Sequence, residues 1–336
     1  MNAKTDASFG LLRPGARCAL ALIIMITAVP RICAEVPPRF YWKTLSGLNA
    51  VPLIGMSVDG NANPLDRSHH VVPGADIEAD MFIAGYAKIL PIFDRSAMVA
   101  ALVPMGEISS EVNVAGVSSS ESAQGYGDPM LELNINLIGP AAINSLPDLM
   151  RYEPGFSADL VVDLAFPIGE YDEHKSINIG QNRWYGRIGF PLIQQIGPWV
   201  PGKRTTLEVF PSVWLFGDND NFGEKKLESD PSFELDLHLT RDLSSDLWGS
   251  LDTVIMQGGK SKIDGVSGDS VDALLLGFTF GYQLTDSLQL TFGYKATLDD
   301  DSGSESTELE ASTVTISLIS GWHSLLEGVK RLGDSE

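Results

Sequence analysis

The sequence predicts an all-β protein, a transmembrane antiparallel up-and-down β-barrel of about 12 strands with long outer loops and short periplasmic turns. Three observations lead to this fold class. An export signal opens the chain, segments of roughly ten residues alternate apolar and polar side chains, and the connections between these segments are alternately long and short. Barrels of the outer membrane of Gram-negative bacteria combine all three features.

Residues 1–34 have the parts of a secretory signal peptide. Basic side chains come before the apolar run 19–29, and small residues then lead to a cleavage site after Ala34. The apolar run is too short to cross a bilayer as a helix, which needs about 20 residues. We therefore expect export, and a mature chain without cysteine, because Cys18 and Cys33 both lie in the segment that is removed.

Composition excludes two classes of protein. The chain of 336 residues has 44 acidic and 23 basic side chains, which give it a net charge of −21. This charge repels phosphate backbones, so we expect no nucleic-acid partner. The run within the signal peptide is the only strongly apolar one, which excludes a bundle of membrane-spanning helices.

The body of the chain alternates with a period of two, as strands do. Along 233–240, every odd position is Phe or Leu and every even position is Glu, Asp, His or Thr. The same pattern recurs at 131–137, 158–164, 288–295 and 314–318. Each of these segments would present one apolar face and one polar face.

The connections fix the direction of the strands. Long connections are expected at 112–127, 170–182, 218–230, 258–271 and 299–310, and short ones at 91–95, 198–203, 241–246 and 285–287. Long outer loops and short periplasmic turns alternate in this way in outer-membrane barrels. Residues 50–58 supply a first ascending strand, which makes the count an even 12. The connection 140–154 is long for its place, and 143–152 can form a short helix within it.

These assignments divide the chain into a signal peptide (1–34), an N-terminal periplasmic segment (35–49), the outer-membrane barrel (50–322) and a charged C-terminal tail (323–336). A soluble β-sandwich would also alternate apolar and polar residues. Aromatic residues near strand ends favour the membrane, where aromatic girdles flank the apolar band. They are Tyr86, Trp184, Tyr185, Phe190, Trp199, Trp214, Phe216, Trp248, Tyr282, Phe292, Tyr294 and Trp322.

Several unusual blocks occur in order along the chain: Gly125-Tyr-Gly-Asp-Pro-Met130, 131–139, Phe166-Pro-Ile-Gly-Glu-Tyr-Asp172, 178–184, 197–199, 213–222, 230–231 and 247–252. From about residue 76 to 322 the chain thereby resembles the family of outer-membrane proteins assigned to the meta-pathway of phenol degradation. The resemblance implies a barrel that passes aromatic or other hydrophobic compounds, and it brings no agreed catalytic residues. The chain departs from the family in having a charged tail after Trp322.

If the apolar faces meet lipid, the polar faces line the lumen. The pore-lining candidates are Glu132, Asp159, Asp163, Arg187, Glu208, Glu234, Asp236, His238 and Lys295. Carboxylates outnumber cations among them, which predicts an acidic pore that disfavours anions. The alternative is that these groups pair with one another across a plugged lumen, because buried polar atoms need partners. At about 12 strands the sequence leaves both interpretations open.

No residue is predicted to be catalytic. His238 is the only histidine on a well-patterned strand, and the sequence places no particular serine beside it. The histidines lack metal-ligand spacing, and the acidic loop 218–229 has Phe222 and Ser229 where a calcium loop needs ligands, so no metal or cofactor is expected. A barrel enzyme acting on lipids is kept as an alternative hypothesis, which His238 would have to carry.

The function predicted is that of an outer-membrane passive channel or transporter, not an enzyme, for small hydrophobic or aromatic compounds. The alternatives are the lipid enzyme and a structural or surface barrel with a plugged lumen. The expected partners are outer-membrane lipid, lipopolysaccharide and the small solutes themselves. The sequence does not predict an oligomeric state.

Overall fold

A computed structural model describes the chain from residue 36 onward. The described residues are 36–68, 70–71, 74–114, 117–268, 270–298 and 309–326. The expected signal peptide, most of the loop 299–310 and the tail from residue 327 lie outside the described residues.

Strands dominate the described chain, together with the helix α1 (Leu146–Arg151). The strands are β1 (Asn49–Gly60), β2 (Ala75–Ile92), β3 (Arg95–Val114), β4 (Val117–Tyr126), β5 (Met130–Ile138), β6 (Phe156–Ala165), β7 (Tyr185–Gly189), β8 (Leu192–Gln195), β9 (Thr205–Phe216), β10 (Asn219–Phe222), β11 (Lys225–Ser229), β12 (Ser232–Asp242), β13 (Leu247–Gly258), β14 (Ser261–Ile263), β15 (Val266–Ser267), β16 (Val271–Thr285), β17 (Leu288–Thr297) and β18 (Ala311–Trp322).

The strands close into a barrel. Antiparallel pairing runs from β1 through β2, β3, β5, β6, β7, β9, β12, β13, β16, β17 and β18, and β18 pairs again with β1. Strand β4 continues β5 toward the outside, and β8 continues β7 toward the periplasm. The described part of the chain thus forms a closed wall of 12 antiparallel strands, which confirms the predicted fold class.

The faces of the strands are those that the alternation predicts. On β12, Phe233 and Leu239 point outward and are 37% and 45% exposed, whereas Asp236 and Thr240 point inward and are fully buried. Apolar side chains outside and charged side chains inside reverse the arrangement of a soluble protein. A lipid exterior explains this reversal, because apolar groups then need no cover from a second layer.

Three expected outer loops contain regular structure. Most of the expected loop 112–127 is strand β4, which pairs with the outer half of β3 from Met105 to Val114. The prediction of a loop there was wrong because β4 consists mainly of Ser, Glu and Gln, which gives it no clear alternation of apolar and polar residues. Strands β10, β11, β14 and β15 form a separate four-stranded sheet from the loops at 218–230 and 258–271.

The helix α1 occupies the long connection between β5 and β6. Ser145 caps its amino end by accepting a hydrogen bond from the Asp148 backbone N–H, and proline stands in its first turn. The expectation of a short helix within 143–152 is confirmed. In the part of the chain that the structure describes, no helix is long and apolar enough to cross a membrane.

The predicted aromatic girdle is only partly right. Tyr86 and Trp322 face outward, with their ring centroids 6.4 Å apart. Tyr185, Trp214 and Trp248 instead face inward and are buried. Proximity to a strand end cannot separate the two groups, because the direction of a side chain depends on its odd or even position along the strand.

Replacement of Gly281 tests the packing of the inner wall. An added Cβ at this position would lie 2.1 Å from the Trp248 ring, so Gly281→Ala forces that ring to move. We expect the variant to unfold at lower urea concentration, with a loss of about 1–3 kcal/mol. Gly293→Ala is the matched control, because its nearest neighbour, the Thr279 hydroxyl, is 3.3 Å away. Equal urea midpoints for the two variants would contradict this packing.

Candidate functional site: the barrel lumen

One side of the lumen is an apolar wall, formed by the inward faces of β1, β2 and β3. Inward positions on the three strands pair in register, as in Met56 with Met81 and Ala79 with Ile108. The inward residues are Ala50, Pro52, Ile54, Met56, Val58, Ile77, Ala79, Met81, Ile83, Gly85, Ala87, Ile89, Met98, Ala100, Leu102, Pro104, Gly106 and Ile108. This wall carries no charged group over most of the height of the barrel.

The opposite side of the lumen is a polar wall, formed by the inward faces of β5, β6, β7, β9, β12 and β13. All nine pore-lining candidates point inward and are buried, between 0% and 7% exposed. Eight of them, Glu132, Asp159, Asp163, Arg187, Glu208, Glu234, Asp236 and His238, lie on this wall, and Lys295 lies on β17. Their assignment to a conducting pore stays a prediction.

Arg187 is the centre of a cluster at mid-height of the polar wall. Its Nε lies 2.6 Å from an Asp163 oxygen, and its Nη1 lies 3.7 Å from Glu234. The guanidinium also stands 4.8 Å from the ring centroid of Phe210 and 4.9 Å from that of Trp214. Glu132 is the strand neighbour of Asp163 on its other side. One cation thus contacts two carboxylates and two aromatic faces, which compensates for its burial.

A second cluster surrounds Asp252 on β13. Its Oδ1 lies 2.8 Å from His238 Nδ1 and accepts a hydrogen bond from Ser250 at 2.5 Å, and its Oδ2 accepts one from Thr279 at 2.6 Å. Asp252 belongs to the strand adjacent to that of His238, so the pattern along β12 alone could not identify this partner. Ser250 donates to Asp252 and not to the imidazole, so the arrangement lacks the nucleophile–base contact of a hydrolase.

Residues 36–48, called here the N-terminal segment, lie across the lumen near its periplasmic end. They belong to the region 35–49 that the sequence analysis assigned to the periplasm. Tyr41 packs edge-on against Phe210 of β9, with the ring centroids 5.5 Å apart. Leu45 forms a bridge to Ile143 in the connection that carries α1. The segment therefore contacts more than one part of the wall before β1 begins.

Arg39 ties the N-terminal segment to β12. Its Nη1 lies 2.7 Å from Asp242, and its Nε donates to the Thr240 hydroxyl at 3.0 Å. The guanidinium lies between the rings of Trp42 and Trp248, at 4.2 and 4.6 Å from their centroids. Arg39 and Asp242 have side chains that are 7% and 2% exposed, so the ion pair is buried.

Two further contacts hold the N-terminal segment to neighbouring strands. Glu208 of β9 accepts hydrogen bonds from the Arg39 backbone N–H at 2.9 Å and from the Trp42 indole at 2.8 Å. Lys43 forms a buried ion pair with Asp159 of β6. Charged partners from β6, β9 and β12 thus bind one short stretch of chain.

The outer end of the lumen is closed by the loop 61–68. Arg183 lies 2.7 Å from Asp66 of this loop and also donates to the hydroxyls of Ser68 and Ser229. Burial raises the pKa of Asp66, but the Arg183 guanidinium and the hydrogen bonds from Ser68 outweigh burial and hold that pKa below its ordinary value. Arg67 lies 5.4 Å from the Trp214 ring.

Sequence reasoning missed the residues of the N-terminal segment that reach the lumen: Arg39, Tyr41, Trp42 and Lys43. Arg39 and Asp242 are 203 residues apart, and no local pattern links them. One feature of the sequence could have indicated these residues. The stretch Pro37-Pro-Arg-Phe-Tyr-Trp-Lys43, shortly after the expected cleavage site, combines three consecutive aromatic residues with two cations. Such a stretch is unusual for a solvated periplasmic segment.

Among the described residues, no group of three or more His, Cys, Asp or Glu side chains is arranged to hold a metal ion. Asp159, Asp163 and Asp242 contact cations of the chain itself, and Asp252 accepts from hydroxyls. One oxygen each of Glu132, Asp163 and Glu234 is buried without a hydrogen-bond partner among the described residues. The site is therefore built from an apolar wall, a polar wall of paired charges, and two stretches of chain that close its ends.

Comparison with known proteins identifies a matching family and a solved structure with a similar fold. The family model "Putative MetA-pathway of phenol degradation" matches residues 61–311. The crystal structure of the COG4313 outer membrane channel from Pseudomonas putida F1 is similar with a TM-score of 0.68 and 18% identity, covering 86% of this chain and 100% of that chain. No curated protein sequence matches.

More distant similarity is found to two other outer-membrane barrels. The transport unit of the autotransporter AIDA-I from Escherichia coli has a TM-score of 0.45 and 8% identity, covering 94% of this chain and 100% of that chain. The toluene transporter TodX from Pseudomonas putida has a TM-score of 0.32 and 11% identity, covering 83% of this chain and 89% of that chain.

Removal of the Arg39 charge tests whether the buried ion pair holds the N-terminal segment in place. In Arg39→Met, Asp242 keeps Arg204 at 2.7 Å but no longer holds the segment, so we expect longer and more frequent conductance steps in planar bilayers than for the wild type. Arg151→Met is the matched control, because Arg151 forms only an exposed contact of 3.9 Å with Asp148. Identical traces for both variants would contradict the tether.

Acid weakens the contact of the outer loop with Arg183. Because the pKa of Asp66 is lowered on folding, its ion pair stabilises the barrel above the ordinary pKa of 3.8 and is lost as the pH falls through the lower, folded value. We expect wild type to be more stable than Asp66→Asn in urea at pH 7, and the difference to shrink as the pH falls below about 4. A difference that does not depend on pH would contradict this assignment.

Proposed function

The chain belongs to the outer-membrane family of the phenol-degradation model, and on that premise we propose that it is a passive channel for small hydrophobic or aromatic compounds. The apolar wall of β1, β2 and β3 is the observation that carries the proposal. A barrel that only had to pass water-soluble solutes would gain nothing from an apolar inner face. The similar structure from Pseudomonas putida is called an outer membrane channel, and we carry that role over as part of the proposal.

The apolar wall leads from one end of the lumen to the other. Toward the outside, Met56, Val58, Ile77 and Met81 pack with Ile177 and Ile179 of the loop between β6 and β7. Toward the periplasm, Ala87, Met98 and Ala100 pack with Tyr41 of the N-terminal segment. An uncharged solute can remain in contact with apolar side chains along this route and avoid the cost of passing buried charges.

The polar wall has a different role in this proposal. Asp159, Glu208 and Asp242 hold the N-terminal segment, and Asp163 and Glu234 hold Arg187. Buried pairs of this kind fix geometry, because breaking one leaves an uncompensated charge. We infer that Asp159 and Glu208, two of the nine inward residues, position the N-terminal segment more than they select ions, so passage requires this segment to move.

Two other roles are less well supported. Ser250 and Thr279 donate to Asp252 and not to His238, and the inward position of His238 separates it from membrane lipid, so we infer no enzymatic role. A permanently filled barrel would also explain the N-terminal segment, but it would not explain an apolar wall. The outward apolar faces of the strands are where we expect outer-membrane lipid to bind.

A polar group placed on the apolar wall tests the route. Ile83 points into the lumen and packs beside the cluster of Met56 and Met81. We expect Ile83→Asn to lower the rate of toluene entry into proteoliposomes several-fold, because the solute must then pass an unpaired amide. Thr315→Asn is the matched control, since it adds the same group to the inward face of β18, which is already polar. Equal toluene entry for both variants would contradict a route along β1–β3.

A further inference from the structure

A cavity of about 330 Å³ lies at the outer end of the barrel, outside the charged clusters of the lumen. Its walls are formed by Asn63, Asp66 and His70 of the connection after β1, by the outer ends of β2 and β3, by the loop between β6 and β7, and by the β10–β11 turn. The residues that matter for the argument are His70, Ile77, Tyr171, Ile177 and Phe222.

We propose that this cavity is a binding subsite for a small aromatic molecule that carries one hydrogen-bonding substituent, such as a phenolic hydroxyl. The inference rests on the proposed function, because it makes the cavity the place where a solute is held before it meets the apolar wall. It adds the class of solute that the outer end selects.

The size of the cavity suits one ring. An apolar cavity of about 150 Å³ is enough to bind benzene, and pockets for small molecules begin near 300 Å³. The cavity of about 330 Å³ is therefore large enough for a substituted aromatic ring. Larger hydrophobic molecules, such as long-chain acids, would extend beyond it.

The base of the cavity is continuous with the apolar wall. Ile77 and Ile177 line the cavity, are only 1% and 4% exposed, and belong to the same packed cluster as Met56, Val58 and Met81. A ring that rests on Ile77 is thus already in contact with the first side chains of the proposed route. This continuity distinguishes the cavity from an ordinary gap between surface loops.

Aromatic side chains line the upper part of the cavity. The ring planes of His70 and Phe222 are nearly perpendicular, at 89°, with their centroids 6.5 Å apart. The hydroxyl of Tyr171 donates to the Asn221 carbonyl at 3.0 Å and accepts from Asn219 at 2.9 Å, which fixes the direction of that ring. Rings held in this way offer edges and faces for edge-to-face contact with a bound ring.

His70 supplies the polar contact. Burial keeps the pKa of His70 below its ordinary value; the nearby Asp66 raises it and Arg183 lowers it further. The imidazole is therefore neutral at pH 7, and a neutral imidazole has one nitrogen that donates and one that accepts. A phenolic hydroxyl can donate to the accepting nitrogen. A hydrocarbon ring without such a group would leave it unused.

The test is the binding of fluorinated rings to the purified barrel in nanodiscs, followed by fluorine NMR, with empty nanodiscs as the reference for partition into lipid. We expect saturable binding of 4-fluorophenol, and weaker binding of fluorobenzene. Phe222→Ala should weaken both ligands about two- to tenfold, as expected for one lost aromatic contact. His70→Phe keeps a ring but removes the nitrogens, so it should weaken 4-fluorophenol and leave fluorobenzene unchanged.

Phe93→Ala is the control variant, because Phe93 is an aromatic residue that lies in a periplasmic turn and is 93% exposed. If a variant fails to fold, displacement of bound 4-fluorophenol from the wild-type protein tests the proposal. Phenol should displace it much better than cyclohexanol does. No saturable binding beyond the empty nanodiscs, or equal displacement by phenol and cyclohexanol, would overturn the proposal. An equal loss of both ligands in His70→Phe would also overturn it.

The proposed subsite and the proposed channel can be refuted independently of each other. Saturable binding of 4-fluorophenol without entry of phenol into proteoliposomes would refute the proposed channel and leave the subsite in place. Entry of phenol without saturable binding would refute the subsite and leave the channel.

Discussion

A charged side chain that points into a narrow closed barrel must find a partner there, because little water reaches it. In this protein the inward carboxylates of β6, β9 and β12 outnumber the cations that the wall itself provides. The N-terminal segment supplies two more cations, Arg39 and Lys43, which pair with Asp242 and Asp159. The position of that segment, and with it the closure of the periplasmic end, depends on this need for charge compensation.

The same constraint explains why the two sides of the lumen differ. Charges are gathered where they can meet one another or the N-terminal segment, and β1, β2 and β3 have no inward charge over most of their length. A lumen with one apolar side and one polar side can hold the N-terminal segment through its charges and offer an uncharged solute an apolar surface when that segment moves. An open aqueous pore would not require the apolar and polar residues of the lumen to lie on opposite sides.

The barrel itself could be predicted from the sequence because lipid outside and polar groups inside force a strict alternation, as on β12. The apolar wall was harder to predict, since β2 is apolar on both faces near its centre. The alternation then does not show which of its side chains point into the lumen. Strand β4 was predicted to be a loop because its residues are mainly Ser, Glu and Gln and show no clear alternation. Alternation is therefore informative only where the two sides of the wall differ in polarity.

The inward direction of Asp163, Arg187 and Glu234 followed from the same alternation. Their partners did not, because strand register and closure decide which side chains meet. Arg187 contacts Asp163 from the adjacent strand and reaches Glu234 from β12, which is not its direct neighbour in the sheet. The contacts of Arg39 could not be predicted for the same reason, since they join residues about 200 positions apart in the sequence.

The most direct test of the account is to measure ion conductance and toluene entry on the same preparation of wild-type protein, in bilayers and in proteoliposomes. The account predicts toluene entry well above that of protein-free liposomes, together with low and intermittent conductance, because the N-terminal segment lies across the lumen and must move before the lumen opens. A steady cation-selective conductance without any gain in toluene entry would contradict it.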